Sequence, residues 1–337
     1  MVKIVHPTTK QVAAARLVTG WYLARYHGTA DDPGVVSMFS DPARVGHFAV
    51  APRALEADDP DALFSLLVAT TMFQRRQDLQ IMRVLRGISA SDAAELTNSA
   101  GLLSSADSCG CRAANDLGRL LGQCDLHKDA NSQGACKYSP ETPCAPKRHA
   151  FLLKRYGHFG KVPTSLALTL RAEGVSDLAE LRRRCIAHSA TPEAAARALE
   201  VALCRSWRVS DKIAAMYLSM LANPDLWPSG APWSAGLDWR RWVVIDSNVD
   251  HFLESIGYSG HGTYHARRAF LVALAAEINL SEMKPGLQSF NPRIVQQAAY
   301  LFMSVSNRRS LARDCSKDAG ACAHCPPWLA GHCALRH

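Results

Sequence analysis

Cys315, Cys322, Cys325 and Cys333 fall within the last 23 residues of the chain, spaced C-x6-C-x2-C-x7-C. Four thiolates this close in sequence can close around one metal centre without ligands from elsewhere. Soft sulfur donors select zinc or an iron–sulfur cluster. Zinc sites of this kind commonly offer two C-x2-C knuckles; here one knuckle is flanked by two wider arms, which points to a cluster and leaves zinc open. A second group, Cys109, Cys111, Cys124, Cys136 and Cys144, lies with His127 and His149 in a segment without any C-x2-C knuckle. Its irregular gaps fit either a second metal site, zinc or another cluster, or a set of free thiols. Two further residues could do chemistry. Lys212 stands in the first turn of a predicted helix, and a lysine that loses its proton is a nucleophile. Asp246 precedes Ser247-Asn248-Val249, where a carboxylate could stabilise developing positive charge or simply cap a helix.

The elements that must position these residues are helices. Gln11 to Tyr26 carries Val12, Ala15, Val18 and Tyr22 on one stripe. Asp59-Pro60, Thr191-Pro192 and Asn291-Pro292 each read as an N-cap followed by proline at the first helical position. Thr263 caps a segment running to Ile278. Period-two alternation is absent, and Val243-Val244-Ile245 is the only strand-like triplet, so an all-α fold is expected. Two stretches interrupt the helical pattern and read as elaborated loops: the cysteine-rich residues 104–150, and residues 223–242, which hold Trp227, Trp233, Trp239 and Trp242 among prolines and glycines.

With 337 residues, 48% hydrophobic and 20% charged, the chain can bury a sizeable core, and two domains are the natural division. No apolar run is long enough to cross a bilayer, and the start of the chain lacks the apolar stretch of a secretory signal. A cytoplasmic, nucleoid-associated monomer with no membrane partner is expected. Eleven cysteines in such a chain suggest metal ligands rather than disulfides. Lys and Arg outnumber Asp and Glu 38 to 30, a net charge of +8. Short basic clusters at Lys147-Arg148-His149, Lys154-Arg155, Lys161, Arg182-Arg183-Arg184 and Arg240-Arg241 suggest a surface that tracks phosphates.

The C-terminal cysteine loop resembles the [4Fe–4S] loop of the endonuclease III branch of the helix-hairpin-helix DNA glycosylases, whose usual spacing is C-x6-C-x2-C-x5-C. The first two gaps match; the last is two residues longer. The segment Arg208-Val209-Ser210-Asp211-Lys212-Ile213-Ala214 resembles that family's G-V-G-x-K-T-A hairpin, with Val209 on the hairpin valine and Lys212 on the catalytic lysine. Val244-Ile245-Asp246-Ser247-Asn248-Val249 resembles its V-D-T-H-V segment, which puts Asp246 on the catalytic aspartate. Leu63 to Gln74 resembles its L-L-I-A-x-x-L-S-A-Q segment, with Gln74 on the glutamine that wedges into the duplex. The chain departs from the pattern at three places. Arg208 and Ser210 replace both hairpin glycines, the 34 residues from Lys212 to Asp246 are about twice the usual separation, and the last cluster gap is long.

The resemblance implies a two-domain glycosylase fold. A six-helix domain over about 58–245 would carry the hairpin, near 192–222, and the cysteine-rich insertion, 104–150. Residues 1–57 and 246–337 would form the cluster domain. It implies a [4Fe–4S] cofactor on Cys315, Cys322, Cys325 and Cys333, with zinc at the insertion as a further option. Double-stranded DNA is the implied partner, met by Gln74, Arg208, Val209 and Ser210. The implied activity is base excision with an AP-lyase step, Lys212 forming a Schiff base assisted by Asp246. Two alternatives stay open: removal of a bulky or foreign modified base in defence against phage DNA, and a DNA-binding iron–sulfur protein without catalysis.

Overall fold

A computed structural model describes residues 6–29, 32, 36–74, 76–124, 126, 144–153, 160–227 and 231–336. Among these residues every regular element is an α- or 3-10 helix, so the chain is all-α. The strand-like triplet 243–245 is a buried connection instead, in no β-ladder among the described residues. No helix among the described residues is long and apolar enough to cross a membrane.

The chain divides into two compact units: Met1–Val35 with Ala222–Ser234 and Trp239–His337, and Val36–Leu221 with Ala235–Asp238. The boundaries differ from those expected at 58 and 246. The short helices Val36–Phe39, Pro42–Val45 and Pro52–Glu56 belong to the second unit, and most of the tryptophan-rich segment belongs to the first.

In the first unit the helix Thr9–Arg25 starts in a reciprocal cap. Thr8 Oγ1 accepts the Gln11 N–H at 3.3 Å, and Gln11 Oε1 accepts the Thr8 N–H at 2.9 Å. This helix packs on Pro292–Met303, which also receives Ser247–Ser255 and Tyr264–Ala276. Enclosed by three neighbours, Pro292–Met303 is buried almost all round, polar residues Arg293, Gln296 and Gln297 included. Its start is fixed by Asn291, which caps Arg293 and Ile294 and exchanges side-chain amide bonds with Asn223 at 2.8 and 2.9 Å.

In the second unit the helix Pro60–Thr71 is capped by Asp59, whose Oδ1 accepts the Ala62 N–H at 2.8 Å. Residues 63–71 are buried without interruption. A helix enclosed on every side can hold Thr70 and Thr71 because their hydroxyls bond back to the Leu66 and Val68 carbonyls at 2.7 and 2.6 Å. Leu178–Ala187 packs on this helix and on Pro192–Cys204. Each buried leucine or phenylalanine of such a core contributes about 1.5–3 kcal/mol.

The two interruptions are more structured than their composition suggests. Within 104–150, Asp116 caps the helix Leu117–Gln123, and Pro146 sits in the first turn of Ala145–Leu152. Cys136 and His127 lie outside the described residues.

Candidate active site and metal centre

The helices Pro192–Cys204 and Asp211–Ala222 are joined by a six-residue turn, 205–210. Arg208 sits in it at φ +62°, in the left-handed region that glycine occupies freely. A side chain there costs roughly 1–2 kcal/mol, so the turn holds a glycine-like conformation without glycine. The surroundings enforce it. Trp207 N–H donates to Ser165 Oγ at 2.9 Å, and the buried Ser206 hydroxyl meets Thr169 Oγ1 at 2.7 Å. Val209 is buried beneath the turn, while Arg208 and Ser210 are exposed. The Arg208 guanidinium lies 5.3 Å from the centre of the Trp207 ring, and Lys161 Nζ lies 4.3 Å from that centre. Ser210 contributes its carbonyl, which accepts the Ala214 N–H at 2.9 Å as the next helix begins.

Gln74 meets this turn. Its Nε2 donates to the Thr71 carbonyl at 2.8 Å and to the Arg208 carbonyl at 3.0 Å. Half-buried, it braces the left-handed residue from behind. Beside it, Lys212 is also half-buried, and its Nζ donates to the Phe73 carbonyl at 3.4 Å. Gln74, Arg208, Val209, Ser210 and Lys212 therefore come together at one place in the second unit.

Asp246 belongs to the first unit. The extended run Trp242 to Ile245 is buried, and the Tyr264 hydroxyl donates to the Val243 carbonyl at 2.9 Å. That run delivers Asp246, half-buried, to the start of Ser247–Ser255. One carboxylate oxygen caps Val249 N–H at 2.9 Å, and the Asn248 amide reaches the other at 3.5 Å. The buried Arg293 guanidinium, held by Gln296 and Gln297 at 2.6 and 2.7 Å, is within electrostatic reach. Burial pulls Arg293 below its usual range, while Tyr22, Asp32, Tyr300 and Asp246 act in the opposite direction.

Cys315, Cys322, Cys325 and Cys333 line one cavity of about 410 Å³ in the first unit. Burial pushes the Cys325 thiol up, and the charges of Cys315, Cys333 and Cys322 push the same way. A cation among the sulfurs opposes that push on Cys325. Arg308 supplies one. Arg308 Nη1 donates to Cys333 Sγ and Nη2 to Cys315 Sγ, each at 3.3 Å, and Trp21 Nε1 reaches Cys315 Sγ at 3.5 Å. No group of three or more His, Cys, Asp or Glu side chains among the described residues is set around a single metal ion. Four soft donors lining one cavity are the residues that could hold a thiolate-bound metal centre.

In the second cysteine group, Cys109, Cys111 and Cys144 are close enough to influence one another, and burial pushes Cys144 up to about 11. Cys109 Sγ donates to the Cys111 carbonyl at 3.5 Å. Cys124 contributes its carbonyl to Lys161 Nζ, and Cys136 lies outside the described residues.

Several members of the basic clusters have partners within the fold, while Lys154 and Arg155 lie outside the described residues. Lys147 and Lys161 are buried, Arg148 pairs with Asp92 and Glu95 at 3.0 and 3.2 Å, and Arg182 with Asp58 at 3.6 Å. Arg184 faces Glu173 at 3.9 Å. The four tryptophans are buried, Trp233 and Trp242 completely, so they pack the segment and offer no open ring to a base.

No family model, no curated protein and no solved structure matches this chain. Asp314, Trp21 and Arg293 carry no signal in the sequence reading. Arg308 reads there, with Arg309, Arg313 and Lys317, as positive charge beside the cysteine loop and facing DNA, yet it is 1% exposed.

Proposed function

We propose that the chain is a DNA glycosylase with AP-lyase activity, built on a helix-hairpin-helix with a C-terminal iron–sulfur loop. The observation that carries this reading is Arg208 at φ +62° in the turn leading to Lys212. Arg208 keeps there the conformation that glycine adopts freely, which supports a hairpin like that of the resembling family, and its exposed side chain offers a cation to a phosphate.

The chemistry asks little of the rest. A base within a duplex must be flipped out before its glycosidic bond can be reached. As the C1′–N bond breaks, the electron pair leaves with the base, which takes up a proton. The Asp246 carboxylate stabilises the positive charge left on the sugar. The Lys212 amine, after losing its proton to solvent, adds to C1′ and gives the imine after ring opening. Loss of a C2′ proton then expels the 3′ phosphate by β-elimination. Cys315, Cys322, Cys325 and Cys333 would hold the [4Fe–4S] cluster, which supplies folding energy and a fixed loop rather than electrons to base removal.

The non-catalytic alternative keeps the same turn with Lys212 Nζ donating to the Phe73 carbonyl. Excision separates the two. Duplexes carrying oxidised, deaminated, alkylated or hypermodified bases are incubated with the full chain, and products are resolved with and without hot alkali. Base loss from at least one duplex, abolished by Asp246→Asn, is expected. Binding without base loss from any of them would leave a DNA-binding protein.

A further inference from the structure

Arg308 is nearly inaccessible, and each of its five N–H groups has an acceptor. Nε donates to Asp314 Oδ2 at 2.9 Å and Nη2 to Asp314 Oδ1 at 3.4 Å. Nη1 donates to the Phe302 carbonyl at 3.2 Å. The two remaining donors go to sulfur, Nη2 to Cys315 and Nη1 to Cys333, each at 3.3 Å. The rings of Trp21 and Phe302 lie 4.9 and 5.7 Å from the guanidinium carbon, which pins its plane.

Cys315 and Cys333 are the first and last cysteines of the loop, and the arm ending at Cys333 is the widened one. A buried cation therefore spans the two ends of the ligand set and draws them to a common centre. Lysine could not do this: it has three donors about a point charge, where arginine has a planar fork.

We propose that Arg308 is the residue that sets the reduction potential of the cluster and fixes the position of Cys333. The role presupposes the cluster proposed above. The potential of an iron–sulfur centre depends on net charge and on hydrogen bonds to its sulfurs. Two N–H···S bonds from a cation stabilise the more electron-rich state and raise the potential. Asp314 opposes this by compensating the charge.

The two members of the pair should thus move the potential in opposite directions. The full chain, purified anaerobically, is assayed for iron and sulfide and titrated electrochemically beside Arg308→Gln, Arg308→Lys and Asp314→Asn. In Arg308→Gln the one-electron equilibrium shifts at least tenfold toward the oxidised state, a fall of 59 mV. Asp314→Asn shifts it the other way, because the guanidinium charge is no longer compensated. Arg308→Lys keeps the charge and falls by less than Arg308→Gln. Should Arg308→Gln fail to load iron, the Arg308→Lys and Asp314→Asn pair carries the same test of sign. A structural role alone would loosen the site in every variant and shift all potentials one way, which would overturn the proposal. Unchanged potentials in iron-loaded variants would overturn it too while leaving the cluster standing. A wild-type chain without iron would remove the cluster assignment and this role together.

Discussion

Replacing Arg208 tests whether the turn ahead of Lys212 is held in a glycine conformation. Arg208→Gly and Arg208→Ala lose the same side-chain contacts, including the stacking on Trp207. Both keep the backbone carbonyl that accepts from Gln74. Their difference therefore isolates the backbone. At φ +62° alanine retains the left-handed penalty of roughly 1–2 kcal/mol, while glycine loses more conformational entropy on folding, roughly 0.5–1 kcal/mol. The glycine variant should be the more stable of the two by about 0.5–1 kcal/mol, read from urea unfolding of each. Were residue 208 right-handed or extended, the order would reverse and alanine would lead by a similar amount. Binding supplies the second readout. Both variants remove one cation, so the slope of log K against log salt for a duplex should flatten by about 0.9. An alanine variant more stable than the glycine variant would refute the turn geometry. An unchanged salt slope would take Arg208 off the DNA.

Two other outcomes follow from buried groups. Burial holds His149 down to about 3, against about 6.5 when unfolded. Between those values the folded chain binds fewer protons than the unfolded chain, so stability falls on acidification, by about 2 kcal/mol at pH 5. Urea midpoints from pH 7 to pH 4.5 should show this slope, and His149→Gln should flatten it. Asp32 carries the opposite sign: burial pushes it up to about 7, so its contribution is lost as pH rises from about 4 toward 7, and Asp32→Asn should steepen the acid-side loss. Gln74→Ala strips a donor from two carbonyls and should cost about 1–2 kcal/mol in the absence of DNA. A stability equal to wild type, with only excision impaired, would return Gln74 to a purely duplex-facing role.

Helix starts were legible because their signals are local. Thr8 apart, each proline-marked cap at Asp59, Thr191 and Asn291, and the cap at Thr263, is a side chain bonding to an N–H two or three residues on. That Cys315, Cys322, Cys325 and Cys333 would share one cavity was legible for the same reason, since all four lie in one short segment. What stayed hidden depends on distant partners. Gln74 reads as a residue free to enter a duplex until Arg208, 134 positions later, supplies its acceptor. Arg308 reads as surface charge until Trp21 and Phe302 enclose it. Composition cannot show that Asp92 and Glu95 face Arg148, Asp58 faces Arg182 and Glu173 faces Arg184. Tryptophans in a Pro/Gly-rich stretch commonly pack it down, and their burial, complete at positions 233 and 242, bears that out. Arg208 shows a middle case: a missing glycine is visible in the sequence, while retention of the glycine conformation is visible only in the backbone.

The central claim is that Lys212 is a nucleophile toward deoxyribose. Abasic-site duplex is incubated with the purified chain and sodium borohydride, beside Lys212→Ala. The account predicts a covalent protein–DNA band in the wild type and none in the variant, since only an imine at that amine can be reduced to a stable bond. A wild-type chain that binds the duplex and gives no band, or a band that survives Lys212→Ala, would contradict it.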